Sequence, residues 1–324
     1  MSSISIIMPA RNAAKTIKES IESVLQDSLV SQLVIVDDGS TDKTTEIIQS
    51  IPDHRITLVP GPQQGIGAAF NCGLEKATGA FIGRCDADDL YPSERLAWQR
   101  EYLLTHPGSV AVSGGFRTIM LSGKSVAELA TEGESRSVRS LLLQGKAVTH
   151  FCTWLTRTEA INHVGGARKW FETAEDIDLQ FRLAMQGEVC HIPKICYIYR
   201  LHNQSITHTQ STSRLKFYET HATLFAQQRL TDGQDALELG TPPLLPSPTA
   251  QGEGGGCANN QISGQLVGQS WKLFRDGNHK EAIRTLCFAI KEQPLRADNW
   301  IQLAIMIIKT AGCSTKTKAN GQGT

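Results

Sequence analysis

Along the first half of the chain, short apolar runs alternate with amphipathic stretches. SISIIMP, Ser3 to Pro9, predicts a strand. Ile17, Ile21, Val24 and Leu25 then recur at helical spacing. Thr16 and Glu19 have the spacing of a capping box, so a helix is predicted from about Thr16. QLVIVDD is a continuous apolar run ending in acid, the pattern of a strand buried on both faces. STDKTTEIIQS predicts a capped helix, RITLVP a strand, GIGAAFNCGLEKATG a helix with a glycine stop, and AFIGRCD the next strand. Ser93 is expected to cap ERLAWQREYLL, and VAVSGG to form another strand. Strands alternating with helices imply an α/β fold around a mostly parallel sheet. Such sheets bind ligands beyond the carboxyl ends of their strands. Asp37-Asp38 and Asp86 to Asp89 both fall there.

The second half is less regular. SVRSLLLQGKAV holds a short helix, and ETAEDIDLQFRLAMQG a helix with an acidic start. CHIPKICYIYRLHNQSIT predicts strand, turn and strand ending in a polar loop. TPPLLPSPTAQGEGGG has the composition of a flexible linker. The expected division is an α/β domain over 1–238, a linker over 239–264, a small α-helical segment over 265–310 and a disordered tail over 311–324.

Composition narrows the function classes. The 324 residues carry 32 Lys+Arg against 32 Asp+Glu, a formal net charge of zero. That balance argues against nucleic acid or an anionic membrane as the main partner. MSSISIIMPARN lacks the basic start of a signal peptide. No apolar run approaches the ~18 residues of a spanning helix. Eight cysteines, none in a CxxC pair, are expected as reduced thiols of a cytoplasmic protein.

The candidate chemistry is acidic. An extended RCDADD places Arg84, Asp86 and Asp88 on one side. Two carboxylates about 4 Å apart repel by ~4 kcal/mol at an effective dielectric near 20. The plain reading is a solvated strand end; the functional one is a site for a hard divalent cation, which prefers oxygen ligands and substrate phosphates. Asp38 closes a strand before a turn glycine: the plain reading is a turn followed by Ser40/Thr41 helix capping, the functional one a carboxylate able to accept an N–H from a uracil-like imide. Glu175 and Asp176 open a helix, where acid complements the helix dipole or supplies a general base. Asp178 and Arg182 are expected as an i,i+4 surface pair. His202 is either a solvated loop histidine or a metal or diphosphate contact.

These pieces in this order resemble the family 2 glycosyltransferases. The matching segments are SIIMPARNAAKTIKESIESVLQ, LVIVDDGSTDKT, GIGAAFNCGLEKATGAFIGRCDADD with PSERLAWQREYLLTHP, GGARKWFETAEDIDLQFRLA and YRLHNQSIT, over about residues 3–207. The resemblance implies the GT-A fold. It implies that Pro9, Ala10 and Asn12 hold the nucleotide in the loop after the first strand, with Asp38 on the base. It implies that Arg84 contacts nucleotide or diphosphate, with Asp86 nearer the ribose and Asp88 the more direct metal ligand. Asp88, Asp86, Asp89 and His202 become the metal-site candidates for Mn²⁺ or Mg²⁺. Asp176, with Glu175 beside it, matches the catalytic base. His150 lies in a segment bordering the active site in relatives. HFCTWLTRTEAI departs from the family wording at Phe151-Cys152.

The implied activity is inverting transfer from a nucleotide sugar, UDP-linked, to a sugar or lipid-linked glycan in polysaccharide synthesis. The implied location is cytoplasmic, peripheral to the inner face of a membrane. LFRDGNHKEAIRTLCFAIKEQPLRADNWIQLAI looks like a tetratricopeptide repeat, with Gly277, Ala282, Ala289 and Pro294 at signature positions. That leaves a protein partner or self-association through 265–310 open. Two other readings compete: a sugar-phosphate nucleotidyltransferase, which would want a glycine-rich phosphate loop that MPARNAAKT lacks, and a non-catalytic scaffold acting through the helical repeat.

Overall fold

A computed structural model describes residues 3–201, 212–245 and 258–319. They fall into two compact units: residues 3–117, 129–200 and 212–245 form the first, and residues 118–128, 201 and 258–319 the second.

In the first unit, β1 (Ile4–Ala10), β2 (Val30–Asp37), β3 (Ile56–Pro60) and β4 (Phe81–Arg84) pair in parallel in the order β3-β2-β1-β4. Every residue of β1 is buried. The reason is coverage on both faces. Ile4, Ile6 and Met8 share a core with Ile17, Ile21 and Val24 of α1 (Ile17–Leu25), while Ile7 packs with Phe70 on the other side. Each such isoleucine contributes about 1.5–3 kcal/mol. The further helices of this unit are α2 (Thr44–Gln49), α3 (Ile66–Lys76), α4 (Arg95–Thr105), α5 (Arg139–Leu143), α6 (Thr158–His163), α7 (Glu175–Gln186) and α8 (Thr212–Asp232). Phe181 and Leu183 of α7 share a core with Tyr218, Ala222 and Phe225 of α8.

Beyond β4 the sheet turns antiparallel. The path continues through β8 (Leu155–Arg157), β5 (Ser109–Met120), β9 (Glu188–Leu201) and β7 (Arg136–Ser137). β8 runs antiparallel to both β4 and β5, and β7 antiparallel to β9. The sheet is therefore mixed, and its mostly parallel character is confined to the β3-to-β4 half. β9 is one unbroken strand through Pro193, where a turn was expected.

The first helix starts where expected, with Thr16 in the N-cap position, but its expected capping bond is not made. Thr16 precedes α1 but makes no side-chain cap bond. Its hydroxyl, like that of Ser20, donates to Ala87 O, both at 3.0 Å. The residue that looked like a cap instead ties α1 to the acidic turn after β4.

In the second unit, β6 (Ser125–Leu129) begins beside Thr118, whose hydroxyl accepts the Ala127 N–H at 3.1 Å. Three helices follow: α9 (Ala258–Arg275), α10 (His279–Glu292) and α11 (Ala297–Ala319). α9 starts inside the stretch expected as linker, and α11 continues past 310 into the stretch expected as tail. Ala282, Leu286, Ala289 and Met306 are fully buried in this bundle. Among the described residues no helix is long and apolar enough to cross a membrane.

Candidate active site

Three acidic segments converge at the carboxyl ends of β2 and β4. Pro9 and Ala10 lie in β1 itself, buried, so only Asn12 occupies the loop expected for all three. Pro9 is tolerated in an interior strand because the β1–β4 ladder ends at Ile7–Arg84. Asn12 adopts a left-handed φ of 52°. Its side-chain oxygen accepts the Thr41 N–H at 2.8 Å, and its own N–H donates to Ser40 Oγ at 3.0 Å. It therefore pins the first loop to the second.

Asp38 is 5% exposed. Its oxygens accept the backbone N–H groups of Gln63 at 2.6 Å and Gly65 at 3.2 Å. The carboxylate thus shapes the turn between β3 and α3. Gly61 must be glycine for the same reason: a Cβ there would sit 2.7 Å from Asp38 Oδ1.

The segment after β4 is a closed turn, with Asp89 N–H donating to Asp86 O at 3.1 Å. Asp86 and Asp88 are half-buried. Asp86 Oδ1 accepts Arg84 Nε–H at 2.8 Å, and Oδ2 the Cys152 thiol at 3.5 Å. Asp89 behaves differently. It is fully enclosed, with Oδ2 accepting the Tyr197 hydroxyl at 2.8 Å and Oδ1 the Arg200 N–H at 2.7 Å. Burial, then the neighbouring Asp88 and Asp86 charges, push its carboxyl well above the usual range. Asp89 thus lacks the partial exposure that Asp86, Asp88 and Asp176 keep.

Arg84 joins the second segment to the third. Its Nη1 reaches Glu175 Oε1 at 3.1 Å while its Nε holds Asp86. Flanked by two carboxylates and buried, it stays charged, its pKa held well above the ordinary arginine value. Burial raises Glu175 to about 7, against the opposing pull of Arg84. Glu175 opens α7 behind Ala174, which takes a left-handed φ of 59°. Asp176 is half-buried, and its Oδ2 accepts the Phe151 N–H at 3.3 Å. Adjacent residues thus reach both acids: Phe151 touches Asp176 and Cys152 touches Asp86. These are the two positions where the family wording is broken. A Cβ on Gly67 would lie 3.1 Å from Glu175 Cγ, so the start of α3 also abuts this acid.

His150 is half-buried among the rings of Phe116, Tyr197 and Tyr199. Burial pushes its imidazole down to about 4, so it is neutral near pH 7. His202 lies outside the described residues.

Asp178 and Arg182 are not a surface pair. Asp178 is fully buried and is held by Arg168 Nε at 2.9 Å and Arg182 Nε at 2.8 Å. Arg168 and Arg229 both also bind Asp235. Arg182 donates to Val164 O and Gly166 O at 2.6 Å each. This network locks α7 to the loop before it and to the end of α8.

The donor set suits a hard cation. Asp86 and Asp88 offer oxygen only, and Mg²⁺ or Mn²⁺ is characteristically held by one or two carboxylates plus substrate phosphates. Among the described residues no cluster of three or more His, Cys, Asp or Glu forms a self-sufficient metal cage. Tyr197 and Cys152 were not legible as site residues from the sequence; Cys152 was marked only as a departure from the family wording.

Acids gathered beyond the carboxyl ends of the parallel strands occupy the place where sheets of this kind bind ligands. The Glycosyl transferase family 2 profile matches residues 5–165. The chain is 33% identical over 193 residues to the protein named "Putative glycosyltransferase EpsE" of Bacillus subtilis (strain 168), covering 57% of this chain and 67% of that protein. It is 28% identical over 230 residues to a chondroitin synthase of Pasteurella multocida (strain Pm70), covering 69% of this chain and 23% of the synthase. Residues 1–349 of S. aureus TarS, solved in complex with UDP-GlcNAc, superpose with a TM-score of 0.58 at 19% identity, over 91% of this chain and 83% of that one. The chain belongs to glycosyltransferase family 2 and has the GT-A fold. It spans about a quarter of the length of the chondroitin synthase.

Proposed function

We propose that the protein is an inverting glycosyltransferase that moves a sugar from a nucleoside diphosphate, UDP, to a hydroxyl of a glycan or lipid-linked acceptor. The observation that supports this most is the shared guanidinium of Arg84, which holds Asp86 at 2.8 Å and Glu175 at 3.1 Å. One cation thereby fixes a diphosphate-side acid against the acid preceding the base.

Asp38 accepts the imide N–H of uracil beside the two backbone donors it already serves, since a carboxylate offers about four acceptor sites. Asp88 and Asp86 would hold Mn²⁺ or Mg²⁺, which when bound neutralises charge on the diphosphate. Asp176 takes the proton of the acceptor hydroxyl. That oxygen attacks the anomeric carbon opposite the leaving nucleoside diphosphate, whose bond to the sugar breaks. The Phe151 N–H orients Asp176 for that transfer. A positioned base supplies about 10²–10⁴-fold. The enzyme works at the cytoplasmic face, with a lipid-linked acceptor bringing it to the membrane.

The test is a thermal-shift and calorimetric panel of nucleotides and UDP-sugars, each with and without Mn²⁺, followed by turnover of whichever donor binds. Stabilisation by UDP with Mn²⁺, and turnover lost in Asp88→Ala and Asp176→Asn, is expected. No UDP binding under any metal condition overturns the reading.

A further inference from the structure

We propose that Tyr197 and Asp89 are positioning residues: they latch the turn that presents Asp86 and Asp88, and Asp89 is not itself a metal ligand. This rests on the metal-diphosphate reading of Asp86 and Asp88 above. Tyr197 belongs to β9, far along the chain from the turn. Its hydroxyl accepts the Asp86 N–H at 3.0 Å and donates to Asp89 Oδ2 at 2.8 Å. One phenol oxygen therefore closes both ends of the turn. The Arg200 N–H takes the other Asp89 oxygen at 2.7 Å. Leu90 and Ile198 then exchange two backbone bonds of 3.0 Å. The Ala87 carbonyl is held by Thr16 and Ser20.

The turn's backbone is thus held from β9 on one side and α1 on the other. Asp89 has both oxygens committed at short distances and is 0% exposed. Reaching a cation would break two buried bonds and leave the Arg200 N–H and the Tyr197 hydroxyl without acceptors, which is costly inside a protein. Asp86 and Asp88, by contrast, remain half-buried. Supporting groups of this kind orient the residues that touch a metal, and losing one typically weakens metal affinity about 10–100-fold.

The experiment measures Mn²⁺ affinity in the presence of UDP by calorimetry and electron paramagnetic resonance. It compares the wild type with Tyr197→Phe, Asp89→Asn and the double variant, alongside UDP affinity without metal. Tyr197→Phe keeps the ring and removes only the hydroxyl. Asp89→Asn keeps an acceptor for Arg200 but sets an amide donor against Tyr197. Each single variant is expected to weaken Mn²⁺ about 10–100-fold with metal-free UDP affinity unchanged. The double variant is expected to match the single ones, because both break the same latch. Mn²⁺ affinity within twofold of wild type in Tyr197→Phe overturns the proposal. So does abolition of Mn²⁺ binding in Asp89→Asn with none in Tyr197→Phe, since that marks a direct ligand. Amide hydrogen exchange of the wild type is a further arm: slow exchange at Asp86 and Arg200 is expected, and rapid exchange at both overturns the latch. A wild type that binds no Mn²⁺ with UDP counts against the metal-diphosphate reading, while the exchange result still decides the latch.

Discussion

Replacing Asp178 by Asn separates two views of the helix that carries the proposed base. As an exposed i,i+4 pair, Asp178 and Arg182 would contribute only about 0.2–0.5 kcal/mol. In the structure Asp178 is fully buried and faces three guanidinium groups, Arg168, Arg182 and Arg229, of which Arg168 and Arg229 also pair with a second buried carboxylate, Asp235. Asn keeps the volume but removes the charge, so three arginines are left with one acid. Its amide nitrogen also points donors at a guanidinium donor. Breaking a buried ion pair from one side costs about 3–5 kcal/mol. That is a large part of the ~5–15 kcal/mol that holds a typical domain. Urea unfolding followed by tryptophan fluorescence gives the number directly, since Trp154 is 2% exposed and reports on this core. Glu281→Gln serves as control, because its pair with Arg284 is exposed and should contribute nothing measurable. A loss below about 1 kcal/mol in Asp178→Asn, with an unchanged m-value, would refute the buried-network account.

Glu175 gives a pH-dependent prediction. Its carboxyl ionises near 4.5 when unfolded and about 7 when folded, raised by burial. Between those values the folded state keeps a proton that the unfolded state has released, so stability falls as pH rises and levels off above about 7. The loss is roughly 3 kcal/mol, and Glu175→Gln should show a flatter profile; parallel urea midpoints from pH 4.5 to 7.5 would contradict this. Gly73→Ala should destabilise by about 1–3 kcal/mol, because its Cβ would lie 2.5 Å from Ile7 Cγ2; a higher Tm in thermal unfolding would show that the packing yields. Asp176→Asn should lower turnover about 10²–10⁴-fold with UDP affinity retained, and lost UDP affinity would place Asp176 on the nucleotide instead.

The β1-to-β4 half was legible because its information is local. Continuous apolar runs ending in acid mark buried parallel strands, and 3.6-residue periodicity marks their helices. The acids themselves were legible for the same reason. What stayed hidden depends on distant partners. Asp89 is a near neighbour of Asp88 in sequence, but a hydroxyl from β9 decides that it turns inward. Asp178 and Arg182 have the spacing of a surface pair, and only the arrival of Arg168 and Arg229 makes them a core network. Thr16 has the spacing of a cap, yet Ala87 O takes its hydroxyl. The antiparallel half was hidden because β8 is three residues long and carries no periodicity. The helical residues 258–264 and 311–319 escaped because the reading there rested on Pro and Gly content and on closeness to the terminus, not on periodicity.

The shared guanidinium has a consequence for how variants of this protein are interpreted. Because Arg84 answers to both Asp86 and Glu175, deleting either acid releases the arginine toward the other. On the proposed assignment, an Asp86 variant would then disturb the acceptor side as well as the donor side, and a Glu175 variant the reverse. Single-residue scans would assign each acid more than its own share, and their losses would not sum. Only the pair, removed together and compared with each alone, apportions the effect between the two halves of the reaction.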